Sequence, residues 1–315
     1  MSARPELGAT LGHGRDRPVL KEPVWTPEIP LYFYTGGLAG ASAGFGLLSD
    51  LRGEPAVARR AWALALAGSV VSPALLISDL GMPKRFLHML RMFKITSPMS
   101  VGSWILSGFG AATAPAAVHS LSGGRLGSAG LAAQVGSAVL GLPLASYTGA
   151  LIANTAVPAW HDGRIELPFL FCAGAAASAG AALTALSPVE QAQAARRLAV
   201  GGAAAEVAVA QVMERRLDSL GVGEPYHAPL TRIATGLTAA GAGIVAARGA
   251  RSRRAAVVGG ALVSAGAVAE RWAVFRAGRR SAARPQDTVA PQRARIDSGE
   301  TQGASRASRR VASGH

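Results

Sequence analysis

A polar connector between two long apolar segments carries residues that could bind a ligand or move a proton. It reads Asp79-Leu80-Gly81-Met82-Pro83-Lys84-Arg85-Phe86, and Ser97-Pro98-Met99-Ser100-Val101-Gly102-Ser103-Trp104 follows. An acid where an apolar helix ends is costly unless it is paired or functional. The Gly81–Pro83 turn is expected to stop the helix. Asp79 is therefore expected either to accept a proton or a hydrogen bond, or to pair with Lys84 or Arg85.

Tyrosines occupy two further positions of interest. Tyr32 stands at the start of the first apolar segment, where a tyrosine either anchors the helix at the lipid surface or contacts a ligand. Tyr147 lies within the fourth segment, and a buried phenol needs a hydrogen-bond partner. Gly149, two residues on, would allow a flat ring to approach closely. Tyr32 and Tyr147 are candidate ligand contacts.

Ionisable residues also fall inside apolar segments. Glu206 lies near the middle of the sixth segment, where an isolated carboxylate is costly. It is interpreted either as a proton-relay group or as a neutral acid bonded to a neighbouring helix. Arg271 follows Glu270 in the last segment, so these two neighbours cannot face each other. Arg271 is expected to extend to the surface, or to pair with Glu206 across the bundle and join it in a proton relay.

The composition indicates a membrane protein. Half of the 315 residues are hydrophobic, the mean hydropathy is +0.27, and charged residues make up 16%, against about 25% in an average soluble domain. Glycine is abundant, with 39 residues, and small residues suit helices that pack closely in lipid. Residues 36–44 place such residues four apart along one face.

Eight apolar windows of about 20 residues predict eight transmembrane helices and an all-α integral membrane protein. They cover residues 31–49, 61–79, 101–119, 130–153, 167–187, 198–213, 230–247 and 255–275. The predicted organisation is a polar segment over residues 1–30, a transmembrane domain over 31–275, and a basic, disordered tail over 276–315.

The charge distribution favours contact with membrane lipid over nucleic-acid binding. Much of the net charge of +14 lies in the Arg-rich tail, and such a tail next to a helix end favours anionic membrane lipid as its partner. With eight spans, Lys and Arg are more frequent on the side of the termini and of the connector that contains Asp79. The positive-inside rule therefore places both termini in the cytoplasm.

The sequence argues against a haem or an iron–sulfur cluster in this chain. A cluster needs several thiolates, and Cys172 is the single cysteine. The six histidines fall mostly in predicted loops and tails, whereas a membrane haem b would require two of them facing each other within helices. No metal site is expected either.

Several passages resemble the NrfD/PsrC (polysulfide reductase) family of integral membrane subunits over roughly residues 25–280. The Asp79–Phe86 and Ser97–Trp104 motifs carry most of this resemblance. The other passages are Trp25 with 30–40, 147–160 and 270–278. Two positions depart from the family pattern: Tyr32 stands where some relatives have His, and Met82 stands where many have Arg.

The resemblance implies eight helices in two four-helix bundles that carry no cofactor of their own. Such subunits bind a quinone (menaquinone or ubiquinone) near one membrane face. There they contact a four-cluster ferredoxin-like iron–sulfur subunit, which is linked to a catalytic subunit containing molybdenum or tungsten. By similarity, Asp79 and Tyr147 match positions that meet the quinone headgroup, with Tyr32 beside them. Lys84 and Arg85 then belong to the loop that docks the partner.

These observations predict a membrane-anchor subunit that passes electrons between an iron–sulfur partner and the quinone pool. A secondary transporter is an alternative, since Gly- and Pro-interrupted helices with intramembrane acids suit one too. Against it, residues 31–153 and 167–275 show no convincing repeat. A passive anchor without quinone chemistry is a third interpretation.

Overall fold

The computed structural model describes residues 20–289, which are almost entirely helical and contain no strand. The prediction of an all-α protein is confirmed. Ten α-helices have both ends inside this range: α1 Glu28–Leu51, α2 Pro55–Leu80, α3 Pro83–Met89, α4 Pro98–Leu121, α5 Gly127–Ala153, α6 Pro158–His161, α7 Glu166–Leu186, α8 Gln193–Ser219, α9 Pro229–Arg248 and α10 Arg253–Ala283.

The eight long helices form two four-helix bundles. In the N-terminal bundle, α1 contacts α2, α2 contacts α4, α4 contacts α5, and α5 returns to α1. In the C-terminal bundle, α7, α8, α9 and α10 make the corresponding ring. The bundles join where α1 and α5 pack against α7, and α1 also touches α10. The short helices α3 and α6 lie in the connections.

Six of the eight long helices are long and apolar enough to cross a membrane: α2, α4, α5, α7, α9 and α10. The number of spans by this measure therefore differs from the eight predicted. The exceptions are α1, which is rich in Gly, Ser and Tyr, and α8, which carries charges along its length. Both are as long as their neighbours and complete the two bundles.

Close helix contacts depend on small residues, as residues 36–44 predicted. At the crossing of α1 and α5, a Cβ atom on Gly40 would overlap the carbonyl group of Gly141, and the reverse substitution would overlap Gly40. The two backbones touch there without side chains between them. Such contacts replace the hydrophobic driving force that helices lack inside lipid.

The helix ends follow local sequence signals. Gly81 ends α2 with a φ of 69°, a left-handed conformation that glycine adopts readily. Pro55 and Pro98 stand at the first turns of α2 and α4, where a missing N–H costs nothing. The Ser97 hydroxyl accepts a hydrogen bond from the Ser100 N–H at the start of α4.

Two faces of the molecule follow from the helix order. Face A contains the start of α1 and the connections α2–α4, α5–α7 and α8–α9, together with the end of α10. Face B contains the connections α1–α2, α4–α5, α7–α8 and α9–α10. The last helix continues past residue 275 to Ala283, so the first part of the predicted tail is helical. The tail from residue 290 onwards and residues 1–19 lie outside the described range.

Candidate functional site

A small cavity lies inside the N-terminal bundle close to face A. Its volume is about 50 Å³. All four helices of the bundle contribute to its wall, together with the segment before α1 and the short helix α3. The lining residues are Trp25, Ile29, Tyr32, Phe33, Leu76, Asp79, Leu80, Met89, Met99, Ser103, Tyr147 and Leu151. The three residues singled out as ligand contacts, Tyr32, Asp79 and Tyr147, therefore share one cavity.

Asp79 is held by the segment that precedes α1. Both the backbone N–H and the hydroxyl of Thr26 donate hydrogen bonds to Asp79 Oδ1, at 2.9 and 2.6 Å. The alternative pairing with Lys84 or Arg85 is not formed, because the Arg85 guanidinium donates to the Leu80 carbonyl oxygen instead. One carboxylate oxygen is thus fixed, and neither of its bonds uses a cationic side chain.

Tyr147 lies on α5 with its ring against α4. A Cβ atom on Gly102 would overlap the Tyr147 ring, so the glycine makes the space that the ring fills. The role given to Gly149 in the sequence analysis was wrong. That glycine faces the Leu167 carbonyl group of α7, where a Cβ would come within 2.6 Å of the oxygen, and so allows the two bundles to approach.

Tyr32 is buried in the cavity wall, with 1% of its surface exposed. Its hydroxyl has no hydrogen-bond partner among the described residues. Buried hydroxyls are nearly always bonded, and an unpaired one costs about 1–3 kcal/mol. The Tyr32 hydroxyl is therefore available to a ligand oxygen at the cavity.

A second polar group lies deeper, in the C-terminal bundle. Arg271 Nη1 is 3.5 Å from Glu206 Oε1, and both side chains are almost fully buried. Arg271 also donates to the Phe171 carbonyl oxygen at 2.9 Å, and its guanidinium lies 4.2 Å from the centre of the Phe171 ring. Arg271 therefore lies within ion-pair distance of Glu206, without a hydrogen bond to it, and the arginine does not extend to the surface.

Aromatic rings occupy the space between the cavity and this ion pair. The Phe33 ring lines the cavity and is 5.7 Å from the Phe171 ring, which in turn lies under Arg271. No hydrogen bond links the cavity residues to Glu206 or Arg271 within residues 20–289. The structure thus brings Tyr32, Asp79 and Tyr147 together and keeps the predicted proton-relay pair apart from them.

The connection between α2 and α4 exposes both predicted docking residues, Lys84 and Arg85, on α3. Large apolar side chains are exposed around them. These are Met82, Leu87, Met92, Phe93, Ile95 and Met99. Met89 and Met99 connect this surface to the cavity, because both also line it. The loop is therefore a basic and apolar surface directly over the cavity.

Sequence reasoning missed two residues of this site. Thr26 lies 53 positions before Asp79, and no spacing rule connects them. Gly102 is part of a motif quoted above, yet nothing in the sequence indicated that its partner is Tyr147. The Trp25 ring stacks on the Trp160 ring, with 5.6 Å between the ring centres. It forms part of the wall between this cavity and a neighbouring crevice.

Comparison with known proteins assigns the chain to a family. The family model described as polysulfide reductase, NrfD_2, matches residues 20–284. No curated protein sequence matches the chain. The matched range includes every helix whose bounds are given above, so the chain belongs to this family of multi-pass membrane subunits of oxidoreductase complexes.

Proposed function

We propose that the protein is the quinone-interacting membrane anchor of an oxidoreductase complex, and that it passes electrons between an iron–sulfur partner subunit and the quinone pool. The observation that carries this proposal is the convergence of Tyr32, Asp79 and Tyr147 on one cavity near face A. Family membership favours this function over the secondary transporter.

The polar groups at the cavity match the needs of a quinone substrate. Its carbonyl oxygens accept hydrogen bonds, and the Tyr32 hydroxyl is a buried donor without a partner in the part of the chain that the structure describes. Reduction to the quinol takes two electrons and two protons. The chain supplies a carboxylate, Asp79, whose Oδ1 is held by Thr26, so its second oxygen is free to exchange a proton. General acid–base catalysis requires such a group within hydrogen-bond reach.

Binding of a quinone ring would need the cavity to open. A volume of about 50 Å³ is below the roughly 300–1,000 Å³ of ordinary ligand pockets. A crevice of about 420 Å³ lies on the other side of Trp25, Met99 and Leu151. Methionine side chains change shape at little cost, so a shift of Met99 and Trp25 would join the two spaces.

The surface over the cavity suits the electron-donating partner. Lys84 and Arg85 are exposed on α3 beside the apolar residues of the same connection. Apolar patches with charged rims are typical of protein interfaces. A four-cluster ferredoxin-like subunit that docks on this loop would bring a cluster close to the cavity, and a molybdenum- or tungsten-containing subunit would supply its electrons.

The proton relay through Glu206 and Arg271 is proposed as a separate element. Because Phe33 and Phe171 stand between the pair and the cavity, a proton would need ordered water to pass from one to the other. A relay role predicts that Glu206→Gln slows quinone-linked turnover while quinone affinity is unchanged. Loss of quinone-linked turnover together with quinone affinity would instead indicate a structural role.

The replacement Asp79→Asn tests the assignment. Quinone-linked turnover of the purified complex is expected to fall by about 100-fold or more, while dye-linked activity of the catalytic subunit and assembly of the complex are retained. Asp162→Asn is the matched control, since Asp162 lies on face A away from the cavity. Quinone-linked activity that survives Asp79→Asn would overturn the role of Asp79. Quinone titration without any saturable binding would indicate a passive anchor.

A further inference from the structure

A large cleft opens on face B, far from the cavity. Its volume is about 820 Å³. The end of α1 and the start of α2 form one wall, and the start of α8 with the turn before it forms the other. The N-terminal and C-terminal bundles therefore meet across it. Arg60 of α2 spans the gap and donates to the Gln191 side chain at 3.1 Å.

Charges of both signs line this cleft. Arg52 and Arg197 supply two guanidinium groups, and Glu54 and Glu190 supply two carboxylates. None of these four side chains forms an ion pair or a side-chain hydrogen bond with another described residue. Charged groups of opposite sign in one cleft that do not pair with each other are available to a ligand that carries both charges.

The backbone adds to the positive part of the cleft. The first turn of α8 lines it without a side-chain cap on its N–H groups. The start of α2 contributes less, because Pro55 has no N–H and the Val57 N–H bonds to the Glu54 carbonyl oxygen. Free N–H groups at a helix start favour an anion such as phosphate. Together with Arg52 and Arg197, the start of α8 makes this part of the cleft positive, next to the two carboxylates.

The floor of the cleft is apolar. Phe45 and Val57 are buried beneath it, and Leu198 packs on the same cluster. Leu48, also in the wall, is largely exposed. Since α2 crosses the membrane and begins here, the charged rim lies at the level of lipid headgroups and the apolar floor points towards the acyl chains.

We propose that this cleft binds a zwitterionic phospholipid, phosphatidylethanolamine. Arg52 and Arg197 contact its phosphate, Glu54 and Glu190 accept hydrogen bonds from its ammonium group, and its acyl chains lie along Leu48 and Leu198. The lipid fills the gap between the bundles on face B, where Arg60 and Gln191 provide the direct polar contact.

Native mass spectrometry of the delipidated full-length protein in detergent tests this site. Three lipids with the same acyl chains are compared: phosphatidylethanolamine, phosphatidylcholine and phosphatidylglycerol. Phosphatidylethanolamine is expected to be retained about tenfold better than phosphatidylcholine, whose quaternary ammonium cannot donate hydrogen bonds. The double variant R52Q/R197Q is expected to lose about tenfold in retention. Arg125→Gln, an exposed arginine on the same face outside the cleft, is expected to leave retention unchanged.

A second variant protects the test against misfolding of the first. E54Q/E190Q removes the carboxylates and is expected to shift the preference from phosphatidylethanolamine to phosphatidylglycerol. A wild-type preference for phosphatidylglycerol would overturn the zwitterionic assignment. Displacement of the lipid by soluble glycerophosphoethanolamine at equal concentration would show that the headgroup alone binds, and would overturn the lipid site. Equal losses in Arg125→Gln and R52Q/R197Q would do the same.

Discussion

The two bundles bury different kinds of polar side chain in their interiors. The N-terminal bundle buries neutral groups such as Ser42, Ser72, Thr113 and Ser137, and its carboxylates lie near its two ends. The C-terminal bundle buries ionisable side chains deep in its interior, in Glu206, Glu270 and Arg271. A neutral hydroxyl can bond to its own helix or to a neighbouring hydroxyl, as Thr113 does with Ser137 at 2.7 Å, and leaving one unbonded, as in Ser42, costs less than leaving a buried charge without a charged partner.

The space left around the buried polar groups also differs between the two bundles. Around Arg271, the space is filled by Glu206, by the Phe171 ring and by α7, where a Cβ on Gly174 would overlap Glu206. Around Tyr32, a small cavity and an unpaired hydroxyl remain. Both bundles therefore contain buried polar atoms without a hydrogen-bond partner among the described residues, but of these only the Tyr32 hydroxyl lies in the wall of that small cavity.

The largest expected effect comes from breaking the buried ion pair. Arg271→Met or Glu206→Gln alone is expected to lower the free energy of unfolding by about 3–5 kcal/mol, because the remaining partner is left buried without its counterpart. The double variant E206Q/R271M should cost less than either single change. Thermal unfolding in detergent, followed by circular dichroism, measures all three. Single costs that simply add in the double variant would contradict a pairwise interaction.

A smaller effect is expected in the N-terminal bundle from Gly102→Ala. The added methyl group would overlap the Tyr147 ring, and overpacking of this kind costs about 1–3 kcal/mol. The displaced ring should also raise the KM for quinone. Gly110→Ala is the matched control on α4, because a Cβ there meets no atom within 4 Å. Equal effects of the two variants would show that helix propensity, rather than the ring, decides the result.

The smallest effect on stability is expected from Tyr32→Phe. The hydroxyl has no partner to lose among residues 20–289, so the free energy of unfolding should change by less than about 0.5 kcal/mol. Quinone affinity should nevertheless fall, since the donor to the substrate oxygen is removed. Unfolding measurements and quinone titration on the same preparation separate the two effects. A large loss of stability with unchanged affinity would mean that the hydroxyl serves the fold.

The sequence predicted the parts of this molecule that depend on local signals. Apolar length gave the eight long helices, and the glycine after Leu80 gave the end of α2. The family motifs indicated Asp79 and Tyr147. The contacts that complete the cavity join distant segments, as between Thr26 and Asp79 or Gly102 and Tyr147. Nothing in the spacing of those residues encodes which helix faces which.

The number of membrane-spanning helices also shows what a single segment of sequence cannot predict. Composition alone separates six apolar helices from α1 and α8, yet packing makes all eight members of the bundles. In α8 the reason is its several charged residues, of which Glu206 is buried against Arg271. A partner on another helix cannot be recognised from one segment.

The segment before α1 also has a consequence for the order in which the chain matures. Thr26 bonds to Asp79, Trp25 stacks on Trp160, and Glu22 pairs with Arg279, 257 positions away. During synthesis the contact of Thr26 can form once α2 has emerged and the stack of Trp25 once α6 has emerged, whereas the contact of Glu22 must wait for the last helix. Trypsin cleavage after Lys21 should accordingly be slow in the full chain and fast in one truncated before Arg253. The lining of the cavity ends at Leu151 of α5, so a chain that stops before α10 already contains every residue that lines the cavity, but lacks the contact that holds Glu22 to the end of α10.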